Sequence, residues 1–141
     1  MNPALLIAPI AIVAAVQGVT DVGVGNPLRK TLLDALRPTI QKDLGQPVKF
    51  VVDQLRAKGD WAFAIVHPQT PAGKPIDFTK TRYAEEIREG FFDGDTTIAL
   101  LKREKGKWKV KAFVIGPTDV AWEPWPGEYG APRDLLMLDG Y

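Results

Sequence analysis

Asn26 to His67 reads NPLRKTLLDALRPTIQKDLGQPVKFVVDQLRAKGDWAFAIVH, and the change of hydrophobic period inside it decides the fold. Leu28, Leu32, Leu36, Ile40 and Leu44 recur every fourth residue, with Leu33 and Ala35 widening the stripe. That is the apolar face of an amphipathic helix. Asn26 is an N-cap, Pro27 sits at the first helical position where its missing N–H costs nothing, and Gly45 supplies the stop. Pro38 lies inside the pattern. It removes one hydrogen bond and crowds the preceding turn, so a kink or a second helix restarting near Arg37 is expected. From Val48 the period becomes two. Val48, Phe50 and Val52 alternate with Lys49, Val51 and Asp53, then Trp61, Phe63, Ile65 and His67 alternate with Ala62, Ala64 and Val66. Two such runs around Ala57-Lys58-Gly59-Asp60 read as a β-hairpin, and the small alanines on one face let a helix approach closely.

Towards the C-terminus, residues 68–75 (PQTPAGKP) form a loop. In residues 81–90, Tyr83, Ile87 and Phe91 fall at a spacing of four, which puts them on one face of either a helix or a strand, and the charges crowding 85–89 favour a short helix. A second hairpin follows. Thr96–Arg103 is one arm, Glu104-Lys105-Gly106-Lys107 the turn, and Trp108–Ile115 the other arm, with Trp108, Val110, Ala112 and Val114 on one face. From Gly116 the chain is dense in glycine, proline and tryptophan, GPTDVAWEPWPGEYGAP, and Leu135–Leu138 is a last apolar patch expected to dock on the body.

Towards the N-terminus the composition shifts. Before Arg29 the only charged side chain is Asp21, and Ala4–Val16 is an apolar run broken only by Pro9. As a helix that run spans about 20 Å, short of the ~30 Å hydrocarbon core of a bilayer. Its length suits the apolar region of a signal peptide, and Val13-Ala14-Ala15 offers a cleavage site after Ala15, although no Lys or Arg precedes the run. The alternative is a buried first element of the mature domain. The expected organisation is a signal peptide over residues 1–18, a flexible leader over 19–25 and a single α+β domain over 26–141.

Composition narrows the functional classes. The 141 residues carry 18 basic and 17 acidic side chains, a net charge of +1, which supplies no field for a nucleic-acid backbone. Cysteine is absent, which removes disulfides, thiol catalysis and cysteine-based metal sites. Serine is absent as well, which removes a serine nucleophile. His67 is the single histidine, so no His-rich metal centre forms. Gly23–Gly25 lacks the Gly-Lys-Ser/Thr ending of a phosphate loop. No cofactor or metal is expected, nor an integral membrane span in the mature chain.

One helix followed by two hairpins implies an α+β domain, a bent N-terminal helix packed on a curved antiparallel sheet of about four strands. In this element order the chain, from Asn26 to Trp125, resembles the cystatin-like and NTF2-like α+β roll. PLRKTLLDALRP, GDWAFA and IGPTDVAW are also similar to segments of small exported bacterial proteins, a likeness that brings no activity with it. The roll resemblance has two functional branches. Inhibitory cystatins wedge a protease cleft with a Q-x-V-x-G turn and a later Pro-Trp turn. Pro124-Trp125 matches the second element, but Gln54-Leu55-Arg56-Ala57-Lys58 has Arg for Val and Lys for Gly. Gln17-Gly18-Val19-Thr20-Asp21 is closer in letters but precedes the helix and ends in Asp. NTF2-like isomerases and dehydratases place an Asp base, or an Asp–His pair, between helix and sheet. On that resemblance the candidates are Asp53, His67 and Asp119.

Each candidate also has a structural reading. A strand-end histidine is commonly just hydrogen-bonded or exposed, and a turn aspartate such as Asp119 commonly bonds nearby backbone N–H groups. The most unusual feature is Trp122, Trp125 and Tyr129 within eight residues, interleaved with proline and glycine. Such rings are enriched in binding surfaces. With Asp119 they form the expected ligand-binding set. Trp122, after Val120-Ala121, reads as core, and Trp125, bracketed by prolines, reads as an exposed contact. The expectation is an exported, monomeric or weakly dimeric module without catalysis, binding a protein or small ligand through its Trp-rich end. The alternatives are a lyase or isomerase using His67 or Asp119, a cystatin-type inhibitor, and a pure scaffold.

Overall fold

The helical signals at Asn26 and Gly45 act as their chemistry dictates. In the computed structural model, which describes residues 18–138, α1 spans Pro27–Leu44. Asn26 Oδ1 accepts from the Leu28 N–H at 2.9 Å, and Gly45, at φ 72°, donates its N–H to the Gln41 carbonyl at 2.8 Å. No second helix restarts near Arg37, and α1 continues as one element through Pro38. Pro38 and Asp34 are both exposed. The carbonyl of Asp34, which loses its helical donor, therefore lies on the side that faces water.

Five antiparallel strands form one open sheet in the order β1-β2-β3-β4-β5: Thr20–Asp21, Lys49–Lys58, Trp61–Gln69, Thr97–Glu104 and Lys107–Ile115. The class is α+β, with five strands rather than about four. The additional strand comes from residues 19–25, expected to be a flexible leader. Thr20 and Asp21 pair with Ala57 and Arg56, and the Val22 N–H continues to the Leu55 carbonyl at 2.8 Å. Val22 is buried against the core, which anchors the segment. The short helix expected in 81–90 is α2, Ala84–Arg88, preceded by a 3-10 turn at Phe78–Lys80.

Two β-bulges decide which side chains face which layer. On β2, Asp53 is an extra residue between Val52, opposite Val66, and Gln54, opposite Ile65. Val48, Phe50 and Val52 therefore share the α1 side with Leu55 and Ala57, although their parities differ. On β5, Val110 opposes Leu101 and Ala112 opposes Leu100, leaving Lys111 unpaired. The face expected to hold Trp108, Val110, Ala112 and Val114 together is split there. Trp108 and Val110 face the helix layer, while Ala112 and Val114 face away from it. One inserted residue shifts a period-two pattern by one step and sends every later side chain to the opposite face.

The helix–sheet interface is filled. Leu32, Leu36 and Ile40 pack on Ala62, Ala64, Val66, Ala99 and Leu101, all at most 1% exposed. The other face of the sheet is covered by the C-terminal tail, through α3 (Trp125–Tyr129) and a 3-10 turn at Arg133–Leu136. Leu135, Leu136 and Leu138 lie in one buried cluster with Phe63, Ile98 and Leu100. With a layer on each side, β4 is buried from Thr97 to Leu101. Among the described residues, no helix is long and apolar enough to cross a membrane. The expected signal segment lies outside the described residues except for Gly18.

Candidate functional site

Gly116 sets the geometry of a cleft at the end of β5. It ends β5 at φ 67°, a conformation that favours glycine. Its N–H donates to the Thr96 carbonyl at 2.8 Å, and its carbonyl accepts from the Asp93 N–H at 2.9 Å. A Cβ at this position would meet the Phe92 ring at 2.5 Å and the Gly94 carbonyl oxygen at 2.9 Å. The end of β5 is thus fastened to the 91–96 segment. Beyond it Pro117–Ala121 leaves the sheet, and between that segment and α2 lies a cleft of about 570 Å³. Arg82, Glu86, Phe91, Phe113, Gly116 and Asp119 are among its lining residues.

The floor of the cleft is tied to α1 by a polar triad. Tyr83 O–H donates to Asp43 Oδ2 at 2.6 Å, Arg82 Nε donates to Asp43 Oδ1 at 2.8 Å, and Arg82 Nη2 donates to the Tyr83 oxygen at 3.1 Å. Burial, and then the hydrogen bond to Asp43, push the Tyr83 phenol well above its ordinary range. Tyr83 and Phe78 pack their rings against Phe92 at centroid separations of 5.3 and 4.9 Å. On the wall, Glu86 holds one carboxylate oxygen, Oε2, buried without a hydrogen-bond partner. Phe91 stands 65% exposed at the rim.

The sequence candidates are distributed differently from expectation. Asp119 lines the cleft. Trp125, expected to be an exposed contact, is 6% exposed and packs in the cluster of Phe63, Ile98 and Leu100. Pro124 and Pro126 do not bracket an open turn. They stand at the start of α3, with Trp125 as its first residue turned inward. Trp122 is partly buried and its Nε1–H donates to the Leu136 carbonyl at 3.0 Å, which fixes the tail. Tyr129 is exposed and lines a separate depression of about 320 Å³ with Thr39, Lys111, Phe113 and Trp125. Trp125 and Tyr129 therefore meet at one depression, and Trp122 is not among its lining residues.

The three candidate bases have different surroundings. His67 Nδ1 lies 2.9 Å from Asp95 Oδ1, at partly exposed positions. Asp53 is the exposed bulge residue, beside a depression of about 160 Å³ that Arg29 also lines. Asp119 is in the large cleft. Among the described residues, no three His, Cys, Asp or Glu side chains gather as metal ligands would. Sequence reasoning missed Glu86, Phe91 and Phe113. The charge crowding at 85–89 and the periodicity that ends at Phe91 were the available signals. The partner wall comes from β5, thirty or so residues away, and no local pattern joins the two. No protein-family model, curated protein or solved structure significantly matches the chain.

Proposed function

We propose that this protein is a non-catalytic binding module and that its ligand enters the cleft between α2 and the end of β5. The observation that carries this reading is an aromatic-lined cleft of about 570 Å³ whose lining includes Glu86, one carboxylate oxygen of which has no hydrogen-bond partner. Concave sites with apolar walls and a few convergent polar groups are the usual places for ligands. The filled helix–sheet interface supports the same assignment, since it leaves no room for a substrate in the place where roll-type enzymes hold one. The Trp-rich end contributes Asp119 to this site, while Trp122 and Trp125 serve the fold. Titrating the ¹⁵N-labelled protein with a library of small amphiphiles tests the reading. Shifts should concentrate at residues 82–92 and 113–121, and shifts centred on His67, or none, would overturn it.

A second reading, a lyase or isomerase using His67, is favoured by its contact with Asp95, which orients the imidazole as a base requires. Asp119 lines the other cleft, and His67→Ala should leave ligand binding unchanged. A protease-inhibitor role through Pro124-Trp125 would need an exposed indole, and this one is buried. We also propose that the protein is exported, on the strength of the apolar run Ala4–Val16. Intact mass of the mature protein from its native host should correspond to a chain cut after Ala15.

A further inference from the structure

We propose that the outer edge of β5 is a docking strand for an extended segment of another protein, acidic at one end and apolar at the other, which adds to the sheet as a sixth strand. β5 ends the sheet, and among the described residues its backbone over Lys107–Ile115 makes no hydrogen bond beyond the ladder to β4. The Gly116 N–H points to Thr96, beside β4, so by strand alternation the N–H and C=O of Phe113 and Ile115 point to the open side. Two depressions open on this edge. Val110, Lys111, Ala112 and Phe113, consecutive residues from both faces of the strand, line one of them with Thr39 of α1 and Tyr129 of α3. Phe113, Val114 and Ile115 line the other, the cleft at the end of β5. Phe113 belongs to both, so the two adjoin along the strand. Charge selects the occupant. Residues 102–111 hold six basic side chains and one acidic, in a chain whose net charge is +1. Lys107 and Lys109 are exposed, and Lys111 reaches Glu104 only at 3.3 Å. Lysines and a bulge guard an edge against a like strand, so a second copy, with a strand of the same charge, is disfavoured. A strand carrying Asp or Glu meets no such barrier, and beyond the bulge at Lys111 the register of Ala112–Ile115 is regular. At the cleft the surroundings change. Phe91 and Phe113 are ring walls, and Glu86 and Asp119 disfavour further acid there. The segment is therefore acidic beside Lys107–Lys111 and apolar in the cleft. The apolar half rests on the cleft being the ligand site, and the pairing along 107–113 does not.

The test uses the full chain and the peptide acetyl-Glu-Glu-Thr-Val-Thr-Val-amide, with its reversed sequence to cover both strand polarities and a counterpart of each carrying lysine for glutamate. In ¹H–¹⁵N spectra at least one acidic peptide should give saturable shifts over residues 107–113 and 82–92, with an affinity that falls as salt rises. Exchange of the Phe113 amide should slow as the peptide saturates, because that N–H gains an acceptor. The lysine peptides should bind at least about fivefold more weakly. The double variant Lys107→Glu/Lys109→Glu, at exposed positions, should reverse that preference. Methylating the central amide nitrogens of the peptide removes its donors without touching the protein, and should weaken binding roughly tenfold or more. Equal binding of the methylated peptide would reduce the contact to charge and overturn the pairing. Protection of the Phe113 amide that rises with protein concentration alone would assign the edge to a second copy and overturn it as well. Cleft shifts with small amphiphiles, but none along β5 with any peptide, would overturn the pairing alone. Peptide shifts at 107–113 without any at 82–92 would overturn the apolar half, and the cleft reading with it, and leave the pairing standing.

Discussion

Pro124 and Pro126 flank Trp125, and such a bracket has two structural outcomes: a rigid exposed turn, or the first turn of a helix. Proline suits both, since its fixed φ matches either and its missing N–H is needed in neither. The choice depends on whether the ring finds an apolar partner, and here Phe63, Ile98 and Leu100 on the far face of the sheet provide one. Nothing within the tail announces that partner. Trp125→Ala should therefore cost about 3–5 kcal/mol, the range for truncating a core aromatic. Trp122→Phe keeps most of the ring but leaves the Leu136 carbonyl without its donor, and should cost about 1 kcal/mol. Urea melts of the two variants check the order, and an equal loss would contradict it.

Tyr83 makes a second argument at this scale. The folded state holds its phenol protonated beyond the ordinary range, whereas the unfolded chain ionises it near pH 10. Above that pH the unfolded state has released a proton that the folded state keeps. The contribution is thus complete below about pH 10 and is lost as pH rises past it. Tyr83→Phe has no proton to lose. Between about pH 9 and pH 11 its stability should fall less steeply than that of the wild type. Parallel slopes in melts across that window would contradict the assignment.

At the scale of elements, α1 was readable to the residue at both ends, because its signals are local: an N-cap, a first-turn proline and a C′ glycine. Its stripe was readable as well, and Leu32, Leu36, Ile40 and Leu44 are the residues it buries. Leu36→Ala should cost about 2–5 kcal/mol, and Lys42→Ala, on the exposed side, no more than about 0.5 kcal/mol. Chemical denaturation of both variants checks this, and equal effects would place the stripe elsewhere. The strands were legible as strands, and β3 also as faces, with Ala62, Ala64 and Val66 towards α1 and Trp61, Phe63 and Ile65 towards the tail, whereas β2 and β5 were not legible past their bulges. An alternating pattern carries no mark of where Asp53 or Lys111 drops out of register, because a bulge depends on the partner strand. The candidate site suffered from the same limit, since its walls, α2 and the end of β5, are distant in sequence and are joined through Gly116 and the 91–96 segment.

At the scale of the molecule, the sheet is clamped between α1 and an irregular tail, and the two layers raise different questions of cooperativity. The tail has no periodicity to read, only the apolar patch Leu135–Leu138, so its docking was foreseeable and its extent was not. Its attachments are substantial. Leu135 and Leu136 are fully buried, Trp122 bonds the Leu136 carbonyl, Arg56 Nη1 bonds the Leu135 carbonyl at 3.3 Å, and Lys58 pairs with Asp134 at 2.9 Å. A docked flap would open by itself, with free energy below that of global unfolding. A true second half of the core would open only when β4 does, because Ile98 and Leu100 on β4 are the residues it covers. The depth of burial favours the latter. Leu136→Ala should then lower the global stability by about 2–5 kcal/mol, the same range as Leu36→Ala in the opposite layer. Hydrogen exchange separates the cases. In the wild type, the amides of the tail and of β4 should share one opening free energy, and Leu136→Ala should reduce both together. Loss of protection confined to residues 120–138, with β4 unchanged, would show that the tail is a flap on a sheet stabilised by α1 alone.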